Sequence, residues 1–131
     1  MIIRGLCGLR PKVEGVSDNI RVISIVGRFL EHSRIYYFHN NGDPKLFLGS
    51  ADMMPRNLDR RVEVLIPVQD AEIHQKIHDE ILQVQLNDTD KGWELLANGS
   101  YKRIREDGEL EAPLLDSQQW HIVQARNRAF V

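Results

Sequence analysis

The chain has 131 residues, 42% of them apolar and 27% charged, with a formal net charge of −2. That length supports one domain with a core of its own, and the balance excludes a disordered chain, a collagen-like repeat and a strongly basic nucleic-acid binder. The charge is unevenly placed: residues 1–67 carry 10 Lys and Arg against 7 Asp and Glu, and residues 68–131 carry 7 against 12, so the front half suits a small anionic ligand.

The single cysteine, Cys7, allows no disulfide within the chain, which fits a reducing compartment, and it reads as a small buried hydrophobe. No run approaches the roughly 18 apolar residues of a membrane span. No basic-then-apolar leader precedes a cleavage site, so the expected location is cytoplasmic.

In chain order, Ile2–Cys7 reads as a first strand with Arg4 as its one charge. A charge in an apolar strand is costly to bury unless paired, so Arg4 is either a ladder-edge ion pair or a guanidinium aimed at an anion. A strand beginning at once after Met1 suggests a domain excised from a longer protein. Arg10–Asn19 is a loop punctuated by Pro11, Gly15 and Ser17-Asp18-Asn19. Ile20–Val26 is β-branched and extended, and Gly27–Glu31 forms a short helical turn that delivers His32. Two strands follow, Arg34–His39 and Lys45–Gly49, joined by Asn40-Asn41-Gly42-Asp43; Asn-Gly favours a hairpin because both residues tolerate positive φ. Beyond Gly49-Ser50-Ala51-Asp52 come Arg56, Asn57, Asp59, Arg60 and Arg61, then an apolar strand, Val62–Pro67.

The clearest helix runs from Asp70, its cap, to Leu86, with Ile73, Ile77, Ile81 and Val84 at helical spacing on one face. His74 and His78 stand four apart on it, but no carboxylate or cysteine completes a metal-binding pattern. Trp93–Ala97 and Ser100–Ile104 form a second hairpin about Asn98-Gly99; Asn98-Gly99-Ser100 also fits a glycosylation acceptor, which the turn explains. Arg105–Pro113 is a charged loop. Asp116 or Ser117 caps a last helix to Ala129 that turns Trp120, Val123, Ile122 and Phe130 inward. Strands mixed with helices in this order imply an α/β fold, a mixed β-sheet flanked by helices, in a single domain over residues 1–131.

His32, Arg4, Arg56 and Arg61 make a candidate phosphate site. Arginines orient phosphoryl oxygens bidentately, a histidine beside them donates or accepts a proton, and phosphoryl transfer needs chiefly positioning and charge stabilisation. There is no GxxxxGK[ST] or GxGxxG loop, so side chains would hold any nucleotide. The bland alternative pairs these arginines with Asp52, Asp59 and Glu63 on a solvated rim.

The run Arg4-Gly5-Leu6-Cys7, Gly15-Val16-Ser17-Asp18-Asn19-Ile20, Ser24 through Arg34, Ser50-Ala51-Asp52 and Pro55 through Val64 resembles the carboxy-terminal domain of bacterial polyphosphate kinase. The likeness covers nearly the whole chain, most densely residues 2–67. It implies a phospholipase-D-like domain, the last of four, in an enzyme that makes inorganic polyphosphate reversibly from ATP through a phosphohistidine on the preceding domain. It assigns His32 as the second active-site histidine and Arg4 to the nucleotide phosphates, with Arg56 and Arg61 along the phosphate path or holding its loop. It implies Mg2+ bound with ATP through ligands outside this chain. The implied partners are ATP and ADP, polyphosphate, the remaining domains and a homo-oligomer when full length, but no nucleic acid; membrane association of the longer enzyme stays open. Met53 stands where the family has tryptophan, and the likeness loosens from about Asp88.

Two rivals remain. A phospholipase-D-type phosphodiesterase or nuclease uses His-x-Lys with an aspartate five positions beyond the lysine, whereas this chain has His32-Ser33-Arg34 and a histidine at 39; Gly49-Ser50 does match the Gly-Ser that follows such motifs. The other is a non-catalytic module binding nucleotide, polyphosphate or a partner, close to the behaviour expected of the segment on its own.

Overall fold

A computed structural model describes residues 1–105 and 113–129. The chain divides into two compact units, one made of Met1–Leu30 and Leu82–Val131, the other of Glu31–Ile81.

The first unit is built on the strands β1 (Ile23–Ile25), β5 (Gly92–Leu95) and β6 (Tyr101–Arg103), antiparallel in the order β1-β5-β6. Val22, Ile23, Ser24 and Ile25 are all buried. β1 lies between β5 and a short parallel bridge from Ile2 to Ile23, and a strand covered on both faces reads as a continuous apolar run rather than an alternation. Val22, Ile23, Ile25 and Leu95 form the core here. The β5–β6 turn is the one expected: Gly99 has φ +87°, and the Asn98 side chain accepts from the Ser100 amide and hydroxyl at 2.9 and 2.7 Å. The α4 helix (Ser117–Ala129) closes the unit, capped by Asp116, whose Oδ1 accepts from the Gln119 amide at 3.0 Å.

A buried carboxylate ties that helix to the sheet. Asp88 has no exposed surface. Its Oδ2 accepts from the Ser117 amide and hydroxyl at 2.8 and 2.6 Å, and its Oδ1 from the Asp90 and Lys91 amides at 3.1 and 2.7 Å. Four donors on one carboxylate offset the cost of removing it from water. Gly92 enters β5 just after this loop, where a Cβ would fall 2.4 Å from the Asp88 carbonyl oxygen and 2.5 Å from Ile104 Cδ1; only glycine fits there. Farther along α4, Gln118 clasps the backbone of Phe29, accepting from its amide at 2.9 Å and donating to its carbonyl at 2.8 Å.

The second unit holds β2 (Ile35–Phe38), β3 (Lys45–Gly49) and β4 (Leu65–Pro67), antiparallel in the order β2-β3-β4. The hairpin register, Ile35↔Leu48 through Phe38↔Lys45, follows from its turn, in which Asn40, Asn41 and Gly42 all take positive φ (45°, 52° and 90°). Asn and Gly are the residues that tolerate this region. Leu46 is almost wholly buried, and its cross-strand partner Tyr37 stacks on His78, ring centroids 4.8 Å apart. His78 belongs to a continuous helical rod of α2 (Ala71–Lys76), a π-helical stretch (Ile77–Leu82) and α3 (Gln83–Leu86). Asp70 caps it through the Ile73 amide at 2.9 Å, so the expected helix from Asp70 to Leu86 is present. A short α1 (Pro55–Arg60) precedes β4.

The α/β composition matches the sequence reading, but the strands form two separate antiparallel sheets instead of one mixed sheet, with the Ile2 bridge as the parallel element. Ile2–Cys7 is not a strand: only Ile2 pairs, Arg4-Gly5 bends away, and Leu6 is 96% exposed. Gly5 and Gly8 leave that run little packing to extend the ladder. Cys7 is half-buried, its thiol 3.5 Å from the Leu9 carbonyl. Gly27–Glu31 forms no helical turn. The strand expected over Val62–Pro67 begins at Leu65, because the chain first forms α1, and Val62 is fully exposed. Ile73 and Val123 face outward, while Phe130 and most of the charged loop after Arg105 lie outside the described residues.

Asp88→Ala would deprive the Ser117 amide and hydroxyl and the Lys91 amide of their acceptor, while the Asp90 amide keeps its bond to the Leu115 carbonyl. It should cost about 3 kcal/mol, read as a lower urea midpoint with an unchanged slope. An unshifted midpoint would show that the four hydrogen bonds do not secure α4.

Candidate functional site

The chemistry-bearing residues of the second unit collect where β2 starts, β3 ends and α1 runs. His32 is exposed and stands three residues before the start of β2. Arg34 donates from Nη1 to the His32 carbonyl oxygen at 2.7 Å and from Nε to Asp52 Oδ1 at 3.0 Å. The Tyr36 hydroxyl donates to the Ala51 carbonyl at 2.8 Å, fixing the exit of β3. Gly49 suits this corner, since a Cβ there would lie 3.0 Å from the Tyr36 ring and 3.1 Å from Leu65.

Glu63 organises the segment that carries the arginines. Its Oε2 accepts from the Ser50 hydroxyl at 2.5 Å and its Oε1 from Asn57 Nδ2 at 2.9 Å. Ser50 Oγ in turn accepts from the Val64 amide at 2.9 Å. Asn57 is buried within α1, and among the described residues its Oδ1 has no hydrogen-bond partner. Pro55 opens α1 with the fixed φ suited to a first helical position. Arg56 follows it, and Arg61 stands at the far end of the helix. Both are exposed, and among the described residues neither forms a hydrogen bond or an ion pair.

The charges in this segment act on one another. The Arg34 hydrogen bond holds the Asp52 carboxyl below its ordinary value, and the Arg34, Arg56 and Arg61 charges add to that. Hydrogen bonds from Ser50 and then Asn57 lower Glu63 in the same way, assisted by Arg61 and Arg34. Three arginines therefore gather about two carboxylates already occupied by Arg34, Ser50 and Asn57. Of the sequence-derived candidates, His32, Arg56 and Arg61 lie in this unit. Arg4 belongs to the other unit, exposed in the bend after the Ile2 bridge and with no ion pair among the described residues. Its ladder-edge alternative is not what forms. Sequence reasoning gives Arg34, Ser50 and Asn57 no role in the site and names Glu63 only as a possible arginine partner; Ser50-to-Glu63 and Asn57-to-Glu63 contacts carry no periodic signal that a linear reading detects.

The bland alternative, in which Arg56 and Arg61 pair with Asp52, Asp59 or Glu63, does not form among the described residues, and Arg34 takes Asp52 instead. His78 Nδ1 faces Asp79 Oδ1 at 2.6 Å. Among the described residues no group of three or more His, Cys, Asp or Glu is placed to hold a metal ion. With Asp52 and Glu63 committed to protein donors, these residues do not fit a Mg2+ ligand set.

The family model described as polyphosphate kinase C-terminal domain 2 matches residues 1–115. The chain belongs to this family. It is 52% identical over 125 residues to the polyphosphate kinase of Prosthecochloris aestuarii, covering 95% of this chain and 17% of that protein. It is 50% identical over 130 residues to that of Dictyostelium discoideum, covering 96% and 12%. The crystal structure of polyphosphate kinase from Porphyromonas gingivalis superposes with a TM-score of 0.85 at 33% identity over 98% of this chain and 19% of that one. The chain thus spans under a fifth of the length of these relatives, and its α/β architecture is the phospholipase-D-like one expected. Among the described residues no helix is long and apolar enough to cross a membrane.

Because the folded Glu63 carboxyl titrates below its ordinary 4.5, its contribution is complete above that value. It is lost as pH falls through the lower folded midpoint. A carboxyl NMR titration should place the Glu63 midpoint below 4.5 in the native chain and return it upward in Ser50→Ala. Equal midpoints in the two would remove Ser50 from the network.

Proposed function

We propose that this segment serves a polyphosphate kinase by presenting phosphate-binding groups to the reversible transfer of the ATP terminal phosphate to inorganic polyphosphate. The transfer passes through a phosphohistidine carried on a preceding domain of the longer polypeptide. The observation that carries the proposal is the state of Arg56 and Arg61: exposed, at the two ends of one short helix, beside Glu63, both of whose oxygens accept from other donors, and Asp52, one of whose oxygens Arg34 holds. Guanidinium groups so placed keep their donors for phosphoryl oxygens.

His32 hydrogen-bonds or protonates an oxygen of the transferring or leaving phosphate, for which an exposed imidazole is suited. Arg4, by the family likeness, contacts the nucleotide phosphates and stabilises their charge. Arg56 and Arg61 line the path of the polyphosphate chain. Mg2+ neutralises the nucleotide phosphates when bound, through ligands outside this segment. The partners are ATP or ADP, polyphosphate, the remaining domains and a second copy of the full-length enzyme, in a cytoplasmic setting.

The phosphodiesterase alternative is weakened at its own motif. Arg34, at the position of the required lysine, is spent on Asp52 and the His32 carbonyl. The non-catalytic reading describes the segment alone, which should bind ATP weakly and make no polyphosphate; synthesis by the isolated chain would refute this. In the full-length kinase, Arg4→Ala and His32→Ala should each lower polyphosphate synthesis by about 10²-fold or more with the circular-dichroism spectrum unchanged. Near-normal turnover in both variants would overturn the assignment.

A further inference from the structure

We propose that Arg34 is the positioning residue for His32. The inference rests on the reading of His32 as the histidine that serves the transferring phosphate. His32 lies outside any helix or strand, where backbone is ordinarily mobile, yet a phosphate oxygen must be met within hydrogen-bond reach.

Arg34 supplies the missing constraint. Its Nη1 holds the His32 carbonyl oxygen at 2.7 Å while its Nε holds Asp52 at 3.0 Å. One planar group thereby joins the backbone of the histidine segment to the residues that lead into α1, which carries Arg56 and is followed by Arg61. The side chain is only partly exposed and starts immediately before β2, whose pairing with β3 fixes its root. The Gly49 amide donates to the Arg34 carbonyl at 2.9 Å, so the arginine backbone is itself anchored to β3.

Two acceptors in different segments demand a fork of donors. A lysine offers its donors from a single nitrogen and lacks the fixed separation of Nε and Nη1, so it does not reproduce this planar bridge although it keeps the charge. Arg34 has a second effect through Asp52. By occupying that carboxylate it keeps Asp52 from capturing Arg56 or Arg61, whose charges already reach it. Arg34 touches no substrate in this scheme; it acts through His32 and through Asp52.

The test is a double-mutant cycle in the full-length kinase carrying this segment, with kcat and KM for ATP measured in Arg34→Lys, His32→Ala and the double variant. Arg34→Lys should lower kcat by about a hundredfold with KM changed less than about twofold, the size of loss expected from a misplaced catalytic group. In the His32→Ala background the same substitution should cost almost nothing further. Full kcat in Arg34→Lys, or an equal loss with and without His32, would overturn the positioning role. Should His32→Ala alone leave kcat intact, the reading of His32 fails, and the role assigned to Arg34 fails with it. Asp52→Asn, which retains the bond to the His32 carbonyl, should lose less kcat than Arg34→Lys, and a greater loss would contradict the bridge. A second readout covers poor folding: in the 131-residue chain, Arg34→Lys should lower NMR order parameters at His32 and Ser33 and leave those of β3 unchanged. Unchanged order at His32 would sink the proposal.

Discussion

A guanidinium near a carboxylate is spent if the two pair and available if the carboxylate is already engaged. That competition decides what the second unit can do. Asp52 is taken by Arg34, and Glu63 by Ser50 and Asn57. Among the described residues Arg56 and Arg61 remain without ion pairs, and their positive charge is only partly offset. Exposed ion pairs contribute little to stability, so this arrangement costs the fold little and leaves two arginines for an anion. The scaffold beneath is stiff where it has to be: a three-residue left-handed turn sets the hairpin register, and Tyr36 pins the strand exit at Ala51.

The first unit solves a different problem. It has a small apolar core around Val22, Ile23, Ile25 and Leu95, and much of its definition comes from buried polar groups that hydrogen-bond across elements. Asp88 and Gln118 are the two hubs, one joining α4 to the β5 entrance and the other joining it to Phe29, three residues before His32. A buried carboxylate with four donors specifies one geometry more sharply than an apolar contact of similar size, because every misplacement leaves a donor unsatisfied.

Much of this was legible in the sequence. Both Asn-Gly turns, the Asp70 cap, the long helix and the last helix were readable because turn chemistry and capping are local. The Ile2–Cys7 strand misled because apolar content was read without weighing Gly5 and Gly8. The helix at Pro55–Arg60 was missed because its polar face offers no apolar period; Pro55 at its start was the available signal. The candidate residues His32, Arg4, Arg56 and Arg61 could be named from residue type and family likeness. The contacts that prepare them could not. Arg34 reaches Asp52 across 18 residues and Ser50 reaches Glu63 across 13, distances that only the folded hairpin closes.

The most direct measurement is an NMR titration of the chain with tripolyphosphate at low salt, following arginine side-chain and histidine ring signals. Saturable shifts at Arg56, Arg61 and His32, with His74 and His78 unmoved, are the outcome expected of an anion site built on unpaired guanidinium groups. Shifts confined to other residues, or none at these three at millimolar ligand, would contradict it.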